Sequence, residues 1–89
     1  MKAFRLKIHG LVQGVYYRQS TVEKALELGI KGTVRNCEDG TVEVFAEGDQ
    51  EKIKMFIDWC HNGPKGAKVD SVDINEQPLK NYNNFIITR

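Results

Sequence analysis

Phe4, Leu6 and Ile8 alternate with Arg5, Lys7 and His9, the two-residue period of a strand with one buried face, and Gly10 ends the run. From Leu11 to Arg18 neither the strand nor the helical period holds, and Gly14 interrupts the stretch, so a loop is expected. Ser20-Thr21-Val22-Glu23 has the form of a capping box, Val22, Ala25 and Leu26 supply an apolar helical face, and Gly29 is a stop. This predicts a helix opening at Ser20 or a residue or two before it. Gly32 to Glu38 reads as a second strand. Asp39-Gly40 then leads into the alternating run Thr41 to Ala46, which predicts a type I′ hairpin with positive φ at both central residues. Val42, Val44 and Ala46 share the core face. Asp49 caps a second helix, with Glu51 in its first turn, and Ile53, Phe56, Ile57 and Cys60 recur at i, i+3, i+4, i+7. Asn62-Gly63-Pro64 ends it. Val69 to Ile74 predicts a fourth strand with Val72 and Ile74 on one face. Val69 is out of phase with them, which implies a bulge or a later start. A polar loop from Gln77 to Asn84 precedes a short final strand, Phe85 to Thr88.

The order is β-α-β-β-α-β plus a terminal strand, each helix with one apolar stripe and each strand with one apolar face. The economical packing is an α+β fold, a ferredoxin-like α/β sandwich with two helices on one face of an antiparallel sheet. The other face is expected to meet solvent, which suits Arg5, Lys7 and Glu43. The 89 residues have room for one domain, spanning 1–89.

Charge narrows the function. Lys and Arg total 13 and Asp and Glu 12, a net +1, without the basic excess of a nucleic-acid binder. An RNA-binding face on this fold would need stacking aromatics. Phe4 and Phe45 lack the Gly-rich aromatic context, and Phe4 falls in the core phase. No apolar run is long enough for a membrane span, and the charged, alternating N-terminus is unlike a secretory signal. Cytoplasmic location, free thiols and no membrane or nucleic-acid partner are therefore expected.

Several chemistries lack their residues. There is no Gly-Lys-Ser/Thr phosphate loop and no Gly-x-Gly-x-x-Gly turn. Cys37 and Cys60 form no metal-ligand spacing, and neither is followed by the arginine that a cysteine phosphatase requires, so packing roles are expected. His9 and His61 fall in no spacing that pairs with an Asp or Cys. No metal and no cofactor are expected.

What remains is Gly10-Leu11-Val12-Gln13-Gly14-Val15-Tyr16-Tyr17-Arg18, a loop leading from a strand into a helix. Successive backbone N–H groups in such a loop can converge on an anion, and the helix N-terminus adds positive dipole. Gly14 permits backbone conformations that a Cβ forbids, and the Arg18 guanidinium matches two phosphate oxygens. On spacing alone the commoner reading is an ordinary βα turn followed by a solvated arginine.

The same nine residues resemble the signature of the acylphosphatases, small α/β sandwich enzymes. Gly32-Thr33-Val34-Arg35-Asn36, followed by Asp39-Gly40 and Val42-Glu43, resembles a second motif of that family. Gly63-Pro64 with Ala67-Lys68-Val69 is similar to its connection from the second helix to the fourth strand. The resemblance runs in order along essentially the whole chain. One departure is Tyr17, where the family usually has Phe, and its hydroxyl then needs a partner or solvent. The resemblance implies hydrolysis of the carboxyl–phosphate bond of acyl phosphates, without a metal. It implies that Arg18 binds the phosphate and that Asn36 orients the attacking water. Backbone N–H groups from Gln13, Gly14, Val15, Tyr16, Tyr17 and Arg18 would complete the cradle. A monomer acting on a small-molecule acyl phosphate is expected. The alternative is a non-catalytic phosphate-binding module on the same scaffold.

Overall fold

A computed structural model describes all residues from Met1 to Arg89. In chain order the elements are β1 (Lys2–Leu11), α1 (Tyr17–Leu28), β2 (Lys31–Asn36), β3 (Val42–Gly48), α2 (Gln50–Cys60), β4 (Lys68–Gln77) and β5 (Phe85–Ile87). The five strands form one sheet in the order β4-β1-β3-β2-β5. Leu6, Ile8, Val34, Val42, Val44 and Ala46 from the sheet pack against Ala25 and Leu28 of α1 and Ile53, Phe56 and Cys60 of α2. Phe85 closes the core, edge-on to Phe56 at 5.8 Å. The expected sandwich of two helices on one sheet face is thus present.

The sheet is mixed rather than wholly antiparallel. β4, β1, β3 and β2 pair antiparallel, but β5 runs parallel to β2. β4 and β5 lie on opposite edges, and the chain leaves β4 at the end of the sheet where β2 begins. A return strand on the far edge must then run with β2.

The segment from β4 to β5 crosses the outer sheet face, and this changes what that face is. Glu47 is buried and accepts the backbone N–H groups of Lys80, Asn81 and Tyr82 at 2.9, 3.2 and 3.0 Å. Glu43 does not meet solvent either; it is only 6% exposed. Its two carboxylate oxygens accept from Arg5 Nε and Arg35 Nε, each at 2.8 Å, which binds β1, β3 and β2 together. Burial pushes the Glu43 carboxyl up, but the hydrogen bonds from Arg35 and Arg5 outweigh it and hold it below its ordinary range.

Four local expectations need correction. α1 opens at Tyr17, after an N-cap Tyr16 that makes no side-chain cap, so Ser20 and Glu23 lie inside the helix and form no capping box. The buried face of α1 is Tyr17, Thr21, Ala25 and Leu28, while Leu26 is 65% exposed. Thr21 can be buried because its hydroxyl donates to the Tyr17 carbonyl at 2.7 Å. The β2–β3 turn is not type I′, because only Gly40 has positive φ. Gly40 N–H donates to the Cys37 carbonyl at 3.2 Å, and the Asp39 carboxylate accepts from both Thr41 N–H and Thr41 Oγ1. This is the three-residue loop with a closing left-handed glycine. His9 does have an acid partner: its Nε2 lies 3.0 Å from Asp73 Oδ2 on β4, a cross-strand pairing invisible to sequence spacing.

The remaining elements match in kind but not at their ends: β1 runs on to Leu11, β2 stops at Asn36 rather than Glu38, and β4 extends to Gln77 rather than Ile74. α2 is capped by Asp49, which accepts Glu51 N–H, and its buried residues are Ile53, Phe56 and Cys60, with Ile57 half-buried beside them. The out-of-phase Val69 marks a real bulge: Gly10 faces Val69 whereas His9 faces Ser71, leaving Asp70 as the extra residue. No helix is long and apolar enough to cross a membrane.

Candidate active site

Between β1 and α1 the chain turns back on itself with positive φ at Gly14 (77°) and Tyr16 (60°), on either side of Val15. Alternating backbone handedness of this kind aims consecutive N–H groups inward. The N–H groups of residues 13–19 donate to no acceptor within the protein; the first to be satisfied is that of Ser20, by the Tyr16 carbonyl at 3.0 Å. No acidic residue sits in the first turn of α1, so nothing neutralises the positive end of its dipole.

Arg18 stands on that first turn. It is exposed and forms no ion pair, unlike Arg5 and Arg35, which are both committed to Glu43. Asn36 ends β2. Both residues line one open cavity of about 480 Å³, together with Gly14, Tyr16 and Tyr17. The Oδ1 atom of Asn36 is buried and has no hydrogen-bond partner. A buried amide oxygen of this sort calls for a donor from a ligand or water.

The side chain of Gln13 joins the two halves of the site. Its Nε2 donates to the carbonyls of Cys37 at 2.8 Å and Thr41 at 2.9 Å, tying the loop to the hairpin that carries Asn36. Gln13 therefore does not line the cavity, and neither does Val15, which packs against the core. The lining also includes Val12, Gln19 and Ile87, which sequence reasoning missed. Gln19 follows Arg18 in the first helical turn and was within reach of a local argument. Ile87 arrives only through the parallel pairing of β5, which sets it opposite Val34, two residues before Asn36.

Tyr17 supports the cavity from beneath. Its ring is buried, 5.7 Å from that of Trp59, and its hydroxyl donates to the Cys60 carbonyl at 2.6 Å. The departure from Phe is thereby accommodated. Gly63 matches this packing: it has φ 68°, and a Cβ there would come within 2.5 Å of the Tyr17 ring. Burial drives the Tyr17 phenol well above its ordinary range, and burial pushes the Cys60 thiol up to about 12. Both groups stay neutral, so neither supplies a nucleophile or a proton shuttle at neutral pH. Both cysteines are free, and neither His9 nor His61 lines the cavity. No group of three or more His, Cys, Asp or Glu side chains is placed to hold a metal ion.

The acylphosphatase family model matches residues 4–87, and the chain belongs to the acylphosphatase family. An acylphosphatase of Acidovorax sp. (strain JS42) is 50% identical over 80 residues, covering 90% of this chain and 82% of that one. An acylphosphatase of Methylococcus capsulatus is 42% identical over 90 residues, covering 100% of this chain and 98% of that one. The crystal structure of acylphosphatase from Bacillus subtilis superposes with a TM-score of 0.97 at 31% identity, over the full length of both chains.

Proposed function

We propose that this hydrolase of acyl phosphates holds the phosphoryl group with Arg18 and the loop N–H groups and delivers water to it from Asn36. The observation that supports the reading is a shared lining: Arg18, whose guanidinium forms no ion pair, Gly14, Tyr16 and Tyr17, whose N–H groups have no acceptor in the protein, and Asn36, whose Oδ1 has no partner, border one cavity.

The chemistry suits this equipment. An acyl phosphate is an activated anhydride with a good carboxylate leaving group, so no strong nucleophile is required. Phosphoryl transfer depends mainly on positioning and on stabilising charge on the equatorial oxygens. Arg18 and the N–H groups do both, each charge-assisted hydrogen bond contributing about 1.5–3 kcal/mol. Asn36 accepts a hydrogen bond from the water at Oδ1 and adds no charge to the site. The water oxygen attacks phosphorus, the bond from phosphorus to the acyl oxygen breaks, and carboxylate and inorganic phosphate leave. An amide is no general base, so the water proton passes to a phosphate oxygen or to solvent. The protein is read as a monomer acting in the cytoplasm on a small molecule, attributes that rest on the sequence alone.

Turnover of benzoyl phosphate by the wild type, beside Arg18→Lys, tests the proposal. Turnover that is lost in the variant is expected. Binding of inorganic phosphate without turnover would favour the non-catalytic module instead.

A further inference from the structure

Tyr16 breaks two local rules at once. It occupies the N-cap of α1, where Ser, Thr, Asp or Asn would satisfy an orphan N–H, and it makes no such bond. It also holds a left-handed backbone, φ 60° and ψ 24°, which is uncommon for a bulky residue. Its ring contributes nothing to the core, being 80% exposed. A large aromatic kept in this way, on the wall of a cavity, points to a role outside folding.

The rest of the lining says what that role is. Val12 and Ile87 are the aliphatic side chains at the cavity; Val12 is buried, whereas Ile87 is 46% exposed. Arg18 is the only ionised side chain in the lining, and the phosphoryl group claims it. No second cation is present to receive an acid group elsewhere on the substrate. We infer that Tyr16, with Ile87, forms the acyl-group wall of the site and selects substrates whose acyl part is uncharged and apolar, an aromatic ring above all. The inference rests on the acyl-phosphate reading above. A planar acyl group can stack on the Tyr16 ring, and an acetyl group offers too little surface to do so.

The test is the ratio of kcat/KM for benzoyl phosphate to that for acetyl phosphate, compared across wild type, Tyr16→Asn and Tyr16→Phe. Asn tolerates the left-handed backbone and removes the ring. Comparing ratios cancels the intrinsic reactivities of the two substrates and any general loss of loop function. The ratio should fall about tenfold in Tyr16→Asn and stay within about twofold of wild type in Tyr16→Phe. An unchanged ratio in Tyr16→Asn, whatever the total turnover, overturns the inference and leaves the acyl-phosphate reading intact. A wild type that hydrolyses neither substrate removes that reading and this inference with it.

Discussion

The amide of Gln13 donates to the carbonyl of Cys37 across 2.8 Å, and through that contact a loop after the first strand is fixed to the end of the second. The same nitrogen also reaches Thr41, so both sides of the β2–β3 hairpin are held. The end of β2 that carries Asn36 is thereby tied to the loop that leads to Arg18. Gln13→Ala should cost about 1 kcal/mol of stability, since it removes two part-buried hydrogen bonds while the Cys37 and Thr41 carbonyls keep their backbone donors, the N–H groups of Gly40 and Cys37. It should also lower kcat by about tenfold, because a small misplacement of a positioned water is expensive. Urea unfolding and benzoyl phosphate kinetics check the two effects. Stability loss with unchanged kcat would mean that the contact holds the fold but not the site.

Arg18→Lys should leave the melting temperature unchanged, because Arg18 is exposed and has no intramolecular partner. An ammonium cannot make the planar two-point contact with phosphate oxygens, so kcat/KM should fall by about 10²-fold or more. Inorganic phosphate should weaken in step as a competitive inhibitor. Near-wild-type turnover in this variant would remove Arg18 from the phosphate site.

Asn36→Ala separates water placement from phosphate binding. The expected result is a fall in kcat of about 10²-fold, by analogy with the loss of one oxyanion donor, with inhibition by inorganic phosphate little changed. A rise in KM at constant kcat would assign Asn36 to substrate binding instead. The variant should not be strongly destabilised, since it removes a buried oxygen that has no partner in the folded chain.

Much of this was legible from local pattern, and the failures share one cause. Asp49 and the Ile53-Phe56-Ile57-Cys60 stripe are local facts, and α2 follows from them. Even the β4 bulge shows in the phase of Val69. Thr21, Glu43 and Ile87 were misread or missed because each takes its place from a partner that local spacing does not contain. Thr21 is buried because the Tyr17 carbonyl takes its hydroxyl, and Glu43 because two arginines on neighbouring strands take its carboxylate. Ile87 reaches the cavity because β5 runs parallel to β2. Arg18 and Asn36 could be named from their motifs. Their convergence depends on Gln13 and on strand order, which are properties of the folded chain.

The Tyr17–Cys60 pair makes the fold sensitive to alkali. In the folded state burial holds the Cys60 thiol up at about 12, while an unfolded thiol ionises near ~8.5. Below about pH 8.5 both states keep the proton and this group gives no pH dependence. Above it the unfolded chain releases a proton that the folded chain retains, so stability falls with rising pH until the folded thiol ionises. The buried Tyr17 phenol adds a second loss that begins near ~10, the ordinary range for tyrosine. Each group contributes a slope of up to about 1.4 kcal/mol per pH unit while only its unfolded form is ionised. Urea unfolding of wild type, Cys60→Ala and Tyr17→Phe from neutral pH to pH 11 checks this. Tyr17→Phe should flatten the curve above pH ~10, and Cys60→Ala, although less stable at neutral pH because of its cavity, should flatten it from pH ~8.5. Curves that stay parallel to wild type would show that neither buried group governs the alkaline limb.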